Sequence, residues 1–303
     1  MGFYGYTCTS FGREAIQANH EAALALHRSN KDFLRTLEGV QQDGPVVVLL
    51  GDSVFRGPRP VVPGLLPGSL SPLWHVDSAL NLILMDEEVP LRVLAPGWLF
   101  DDYVTEILSN RLRPCDYAVF QDAGFAPRSA WSTYHRMVAL ARAKPKAPST
   151  APLIVLTTWQ DARTPRECRW DIPGADGFSA NEALRRAVLT IRIDQPCILL
   201  DLERLDAVAL ARHAFSAPEP LQEDGVHLSP SGTMVLALAL ACRLGLSAAD
   251  ERLLGHRVAA EWAAMPTGLR GSAHFDPRGI SGLLSSIREA IEAAPIHQEA
   301  THV

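Results

Sequence analysis

Val46-Val47-Val48-Leu49-Leu50-Gly51-Asp52-Ser53 is an unbroken apolar run that halts at a glycine, a carboxylate and a hydroxyl. Five consecutive branched residues have the length and chemistry of a strand buried on both faces, which does not alternate as a half-exposed strand does. Working outward, similar runs recur at 91–95, Tyr117–Phe120, 153–158 and 197–201. Segments with helical spacing lie between them, at 75–88, 101–111, 132–144 and 181–193. Strands alternating with helices specify an α/β protein with a doubly wound parallel sheet, here of five strands with helices on both faces. Ligands of such sheets sit beyond the carboxyl ends of the strands, and Ser53 follows the first run directly.

Both flanks of this core read as helical. Residues 14–37 carry Ile16, Leu24, Leu26, Phe33 and Leu37 on one stripe, ended by Gly39 and Gln41-Gln42-Asp43-Gly44. Leu228-Ser229-Pro230-Ser231-Gly232 opens the last core helix, expected over 233–246, with Ser229 suited to cap it and Pro230 to its first turn. Two amphipathic helices follow at 250–264 and Ile280–Ala293, joined by a loop rich in Gly and Pro. They are expected to pack on the core or to form an oligomer surface. The chain thus divides into an N-terminal helical extension, 1–44, an α/β unit, 45–246, and a C-terminal helical extension, 247–303. The Pro- and Gly-rich stretch 57–72 is expected to be an extended loop beside Ser53.

The bulk composition narrows the functional classes. Of 303 residues, 47% are hydrophobic and 20% charged, enough to bury a full core. With 28 basic against 34 acidic residues the net charge is −6, which argues against a nucleic-acid partner. The five cysteines form no Cys-x-x-Cys pair, so a reduced compartment is the simpler reading. Residues 1–30 lack the pattern of a secretory signal, and the longest apolar run, 234–242, is about half of what a bilayer span requires. A cytoplasmic protein without a membrane span is therefore expected. No cofactor or metal is expected either: His20, His27, His75, His135 and His213 have no ligand spacing, and Gly-x-Gly-x-x-Gly and P-loop patterns are absent. A Gly-x-Ser-x-Gly elbow is also absent, which argues against the α/β-hydrolase fold.

Far along the chain, Asp224-Gly225-Val226-His227-Leu228-Ser229 places a carboxylate and an imidazole three residues apart, just ahead of the last core helix. Ser53, His227 and Asp224 supply a nucleophile, a general base and an acid to orient the base. Gly51-Asp52-Ser53 with Asp224-x-x-His227 resembles the first and last signature blocks of the SGNH/GDSL hydrolases, over about residues 45–246. The resemblance implies a three-layer flavodoxin-like fold, Ser53 as nucleophile, His227 as base and Asp224 as its partner. It also implies a small ester or acyl compound as substrate. Asp52 is then left to bond N–H groups around the turn.

The middle blocks depart from that family. The second should supply an oxyanion N–H, and the segment 95–101 offers Gly97, or Phe100 by spacing, beside the N–H of Ser53. The third, Gly-x-Asn-Asp in the family, is Phe120-Gln121-Asp122-Ala123-Gly124-Phe125, with no asparagine. Gln121 is the nearest amide, and loss of one such donor costs about 2.7–4 kcal/mol of barrier. Three readings stay open: a serine esterase or acyl hydrolase, an acyltransferase using the same triad, or a ligand-binding protein whose site has degenerated. Arg56 and Arg59 after the serine, and Arg163, Arg166 and Arg169 near Trp159 and Trp170, are candidates to clamp an anionic substrate group; solvated loop charges beside a core tryptophan are the plainer reading. Asp122 is a further substrate-binding candidate. The oligomeric state has no signature in the sequence.

Overall fold

The structure is a computed structural model. It describes residues 46–50, 76–83, 92–94, 117–120, 134–135, 138, 153–157, 159, 169, 171–174, 177–193, 196–216, 221, 228–244, 250–265 and 273–293. Its sheet joins β1 (Val46–Leu50), β2 (Arg92–Leu94), β3 (Tyr117–Phe120), β4 (Leu153–Leu156) and β5 (Cys197–Leu200) in the order β2-β1-β3-β4-β5. Every neighbouring pair is parallel, with Val47 opposite Val93 and Tyr117, Phe120 opposite Val155, and Leu156 opposite Leu200. In this order the winding reverses between β1 and β3, so the carboxyl end of β1 opens onto the switch point where doubly wound sheets bind ligands.

Helix α1 (Val76–Ile83) links β1 to β2, and α2 (Ala180–Ile191) precedes β5. The short α3 (Ala207–Ala211) and the long α4 (Pro230–Arg243) follow the sheet. Residues 134, 135 and 138 are helical within the expected 132–144 segment, whereas the expected helices at 14–37 and 101–111 lie outside the described residues. Helix α4 begins three residues before the expected 233, because Ser229 caps it and Pro230 already has helical geometry; Leu244 closes it before the expected 246. Helix α2 ends before the expected 193: Arg192 caps it, and the Ile193 N–H bends back to the Thr190 carbonyl. The strands β4 and β5 also stop short of 158 and 201. Thr157 still donates its N–H to the Leu200 carbonyl at 3.2 Å, and its hydroxyl donates to Asp201, where the two strands end.

Beyond α4, the helices α5 (Glu251–Ala264) and α6 (Ile280–Ala293) follow, the latter entered through a 3₁₀ turn at Pro277–Gly279. Leu254, Val258 and Trp262 of α5, and Leu283, Leu284 and Ile287 of α6, belong to the same buried cluster as α1 and α4. Phe215 meets Trp262 and Phe275 at ring-centroid distances of 5.1 and 5.3 Å, where a bridge between residues 215 and 275 ties the α3 end to the α6 entrance. Helix α4 is thereby packed against α1, α3 and α6, with α5 lying against α1 and α6, which explains an apolar sequence with no polar stripe. Among the described residues, no helix is long and apolar enough to cross a membrane.

Candidate active site at the carboxyl edge of the sheet

One chain segment leaves the carboxyl edge of the sheet after each of the five parallel strands. After β4 and β5 the edge is closed by a polar network. The Thr157 hydroxyl donates to Asp201 Oδ1 at 2.8 Å and accepts the Glu203 N–H at 3.1 Å. Arg185, on the inner side of α2, forks onto Asp201 through Nε and Nη2 at 2.8 and 2.9 Å and reaches Glu203 at 2.7 Å. Asn181, one turn earlier, donates to the same Glu203 oxygen, and Arg204 adds a contact to Asp201 at 3.3 Å. Burial opposes the Arg185 charge, but the hydrogen bonds and charges of Asp201 and Glu203 outweigh it and hold the guanidinium pKa above its ordinary value. A buried carboxylate is tolerated when several donors satisfy it, as here. The network fixes the positions from which the chains beyond β4 and β5 depart.

The start of α4 is a second fixed point. The Ser229 side chain accepts the Gly232 N–H at 3.2 Å and is in hydrogen-bond contact with the Ser231 hydroxyl at 2.9 Å. The Ser229 N–H donates to the Leu221 carbonyl at 2.8 Å. Leu221, Leu228, Ser229 and Ser231 are all buried. The chain that carries Asp224 and His227 therefore leaves from, and returns to, two residues joined by a hydrogen bond.

Ser53, Asp224 and His227 lie outside the described residues, as do Asp52, Arg56, Gly97, Phe100, Gln121, Asp122 and Arg163. Their anchors are described: β1 ends three residues before Ser53, and α4 is capped two residues after His227. Trp159 is only 6% exposed and packs in the main core cluster, two residues after Thr157. Arg169 is bound by both carboxylate oxygens of Asp171. That hydrogen bond, reinforced by charge, lowers the Asp171 pKa and raises that of Arg169. Among the described residues, no group of three His, Cys, Asp or Glu side chains gathers as a metal site.

Sequence reasoning missed Thr157, Arg185, Asp201, Glu203 and the contact between Gly232 and Leu221. Two of these had a signal. Arg185 follows Leu184 on the apolar side of α2, where a charge requires a partner. Gly232 sits inside the first turn of a helix, where glycine costs about 1 kcal/mol relative to alanine and calls for a compensating reason.

No family model matches the sequence, and no curated protein does. Among solved structures, the chain is similar to Est24, a carbohydrate acetylesterase from Sinorhizobium meliloti, at 14% identity and a TM-score of 0.42, over 66% of this chain and 98% of that one. It is similar to a DUF4886 family protein from Bacteroides uniformis at 15% identity and 0.45, over 83% and 96%. The salicylyl-acyltransferase SsfX3 from a tetracycline biosynthetic pathway matches at 14% and 0.38, over 74% of this chain and 56% of that one. Similarity of this degree does not fix an activity.

Proposed function

We propose that the chain is an SGNH-like serine hydrolase acting on a small ester or acyl compound through an acyl-enzyme on Ser53. The observation that carries this reading is the placement of Gly51-Asp52-Ser53 immediately after β1, at the switch point of a β2-β1-β3-β4-β5 sheet. Right-handed crossovers would put α1 and α2 on opposite faces of that sheet, the three-layer arrangement the resemblance implies. In this reading 45–246 is the catalytic unit, and α6, itself backed by α5, braces α4.

His227 removes the Ser53 hydroxyl proton as the oxygen forms a bond to the substrate carbonyl carbon, with Asp224 holding the imidazole tautomer. The carbonyl π electrons move onto oxygen, where the Ser53 N–H, a second N–H from Gly97 or Phe100, and the Gln121 amide are the candidate donors. Collapse expels the alcohol, which takes its proton from His227. Water then attacks the acyl-enzyme by the same route in reverse, releasing the acid and freeing Ser53. An acceptor alcohol or amine in place of water makes the same cycle an acyl transfer. Asp52, Arg56, Asp122 and Arg163 are the candidates to contact the substrate, whereas Trp159 is taken up by the core.

Intact-mass measurement after incubation with a fluorophosphonate tests the reading. One stoichiometric adduct is expected on the native protein and none on Ser53→Ala or His227→Ala. A folded native protein that takes no adduct refutes it and favours a non-hydrolytic binding site.

A further inference from the structure

Gly232 has no room for a side chain. A Cβ placed there would lie 2.1 Å from the Leu221 carbonyl oxygen and 3.0 Å from its carbon. Its φ is not in the left-handed region, so space rather than backbone conformation demands glycine. The same carbonyl accepts the Ser229 N–H, and Ser229 in turn holds the Gly232 N–H and the Ser231 hydroxyl. Leu221, Ser229, Ser231 and Gly232 thus form a buried clasp across the two ends of residues 222–227. Capping by Ser229 and a proline at the first position already suffice to start α4. A glycine at the third position weakens the helix, and what it gains is the close approach of the Leu221 backbone.

We propose that this clasp is a positioning device: the Gly232 contact with Leu221 sets the register of Asp224 and His227 relative to Ser53. The inference rests on the hydrolase reading given above. Gly232 and Leu221 act only through His227, whose misplacement by ~1 Å is enough to cost about 10²-fold in rate. Enlarging residue 232 forces Leu221 and the start of α4 apart, and the displacement falls on the segment between them.

The fold supplies its own control. Gly279, at the end of the 3₁₀ turn, stands equally close to a carbonyl: a Cβ there would lie 1.9 Å from the oxygen of His213. It lies at the entrance to α6, where its near neighbours are His213 and Ala214. The experiment measures the rate of fluorophosphonate labelling against pH for native protein, Gly232→Ala, Gly279→Ala and Ser231→Ala, with melting temperatures alongside. Gly232→Ala is expected to remain folded and to label roughly 10- to 100-fold more slowly. Its pH midpoint should be displaced. Gly279→Ala should label at the native rate and midpoint despite a comparable loss of melting temperature.

Native-rate labelling of folded Gly232→Ala overturns the proposal. So does an equal slowing of both glycine variants with unchanged midpoints, which is the mark of general loosening. If Gly232→Ala does not fold, Ser231→Ala decides, since it removes the Ser229–Ser231 hydrogen bond without adding volume. A slower rate with a shifted midpoint supports the clasp, and native behaviour sinks it. Absence of any adduct on the native protein rejects the hydrolase reading itself, and the proposal with it.

Discussion

Helices α2 and α4 are similar in length, 12 and 14 residues, yet they are held in place by different means. Helix α4 is buried over every residue from Pro230 to Ala241, packed against α1, α3 and α6. Helix α2 buries Asn181, Ala183, Leu184, Ala187, Val188 and Ile191, while Glu182, Arg186 and Leu189 face solvent and Ile193 just beyond it is 83% exposed. What α2 lacks in enclosure it recovers in specific polar bonds. Its Ser179 and Glu182 cap its start reciprocally, and Arg185 grips Asp201 and Glu203. Volume holds one helix and directed charge the other. Apolar packing is not directional, whereas a forked guanidinium–carboxylate pair fixes both distance and angle. The directed contact is found where the chain must leave the carboxyl edge of the sheet at a defined position.

Leu238→Ala should test the enclosed helix most severely. The side chain is fully buried, and its truncation is expected to cost about 3–5 kcal/mol, read as a lower denaturant midpoint with an unchanged slope. A loss below about 1 kcal/mol would mean that α4 is not held by volume. Arg185→Ala should come next, at about 2–4 kcal/mol, because it strands the buried Asp201 carboxylate. The lower part of that range applies because Arg185 is 22% exposed and Arg204 also reaches Asp201. A double variant with Asp201→Asn should recover part of the loss, and strict additivity would deny the coupling.

The smallest effect concerns Arg169 and Asp171, on the approach to α2. The hydrogen bond from Arg169, aided by its charge, lowers the Asp171 pKa, so the folded protein binds that proton less readily than the unfolded chain. Its contribution is complete above the ordinary carboxylate value of about 3.9 and is lost as pH falls through the lowered folded value. Native protein should melt slightly above Asp171→Asn at pH 6, and the gap should close towards pH 2. A gap that persists in acid would show that Asp171 acts through packing and not charge.

Much of this was legible from local pattern. The runs Val46–Leu50 and Tyr117–Phe120 are strands with those bounds, and Ile280–Ala293 is the helix its apolar spacing describes. The triad pattern was legible as residue types at the end of one strand and ahead of one helix. The polar network was not. Arg185 and Arg186 are adjacent and chemically identical, yet one turns onto Asp201 and the other lies over the Phe178 ring, 4.0 Å from its centre. The helical period puts Arg185 on the inner side of α2, but its partner, 16 residues away on the far side of a strand end, is not legible from that period.

The sequence by itself determined the five strands and the helices that became α1, α2, α4, α5 and α6, though not the short α3, since run length and apolar period are properties of neighbouring residues. It also placed a serine after the first strand and an Asp-x-x-His ahead of the last core helix. The tertiary structure alone decided the strand order, which carboxylates the inward arginine grips, and why residue 232 must be glycine. Each of those depends on a group distant in sequence: β3 against β1, Asp201 against Arg185, the Leu221 carbonyl against Gly232. Their energies arise from contact and exclusion in space, and only the folded chain brings the partners together.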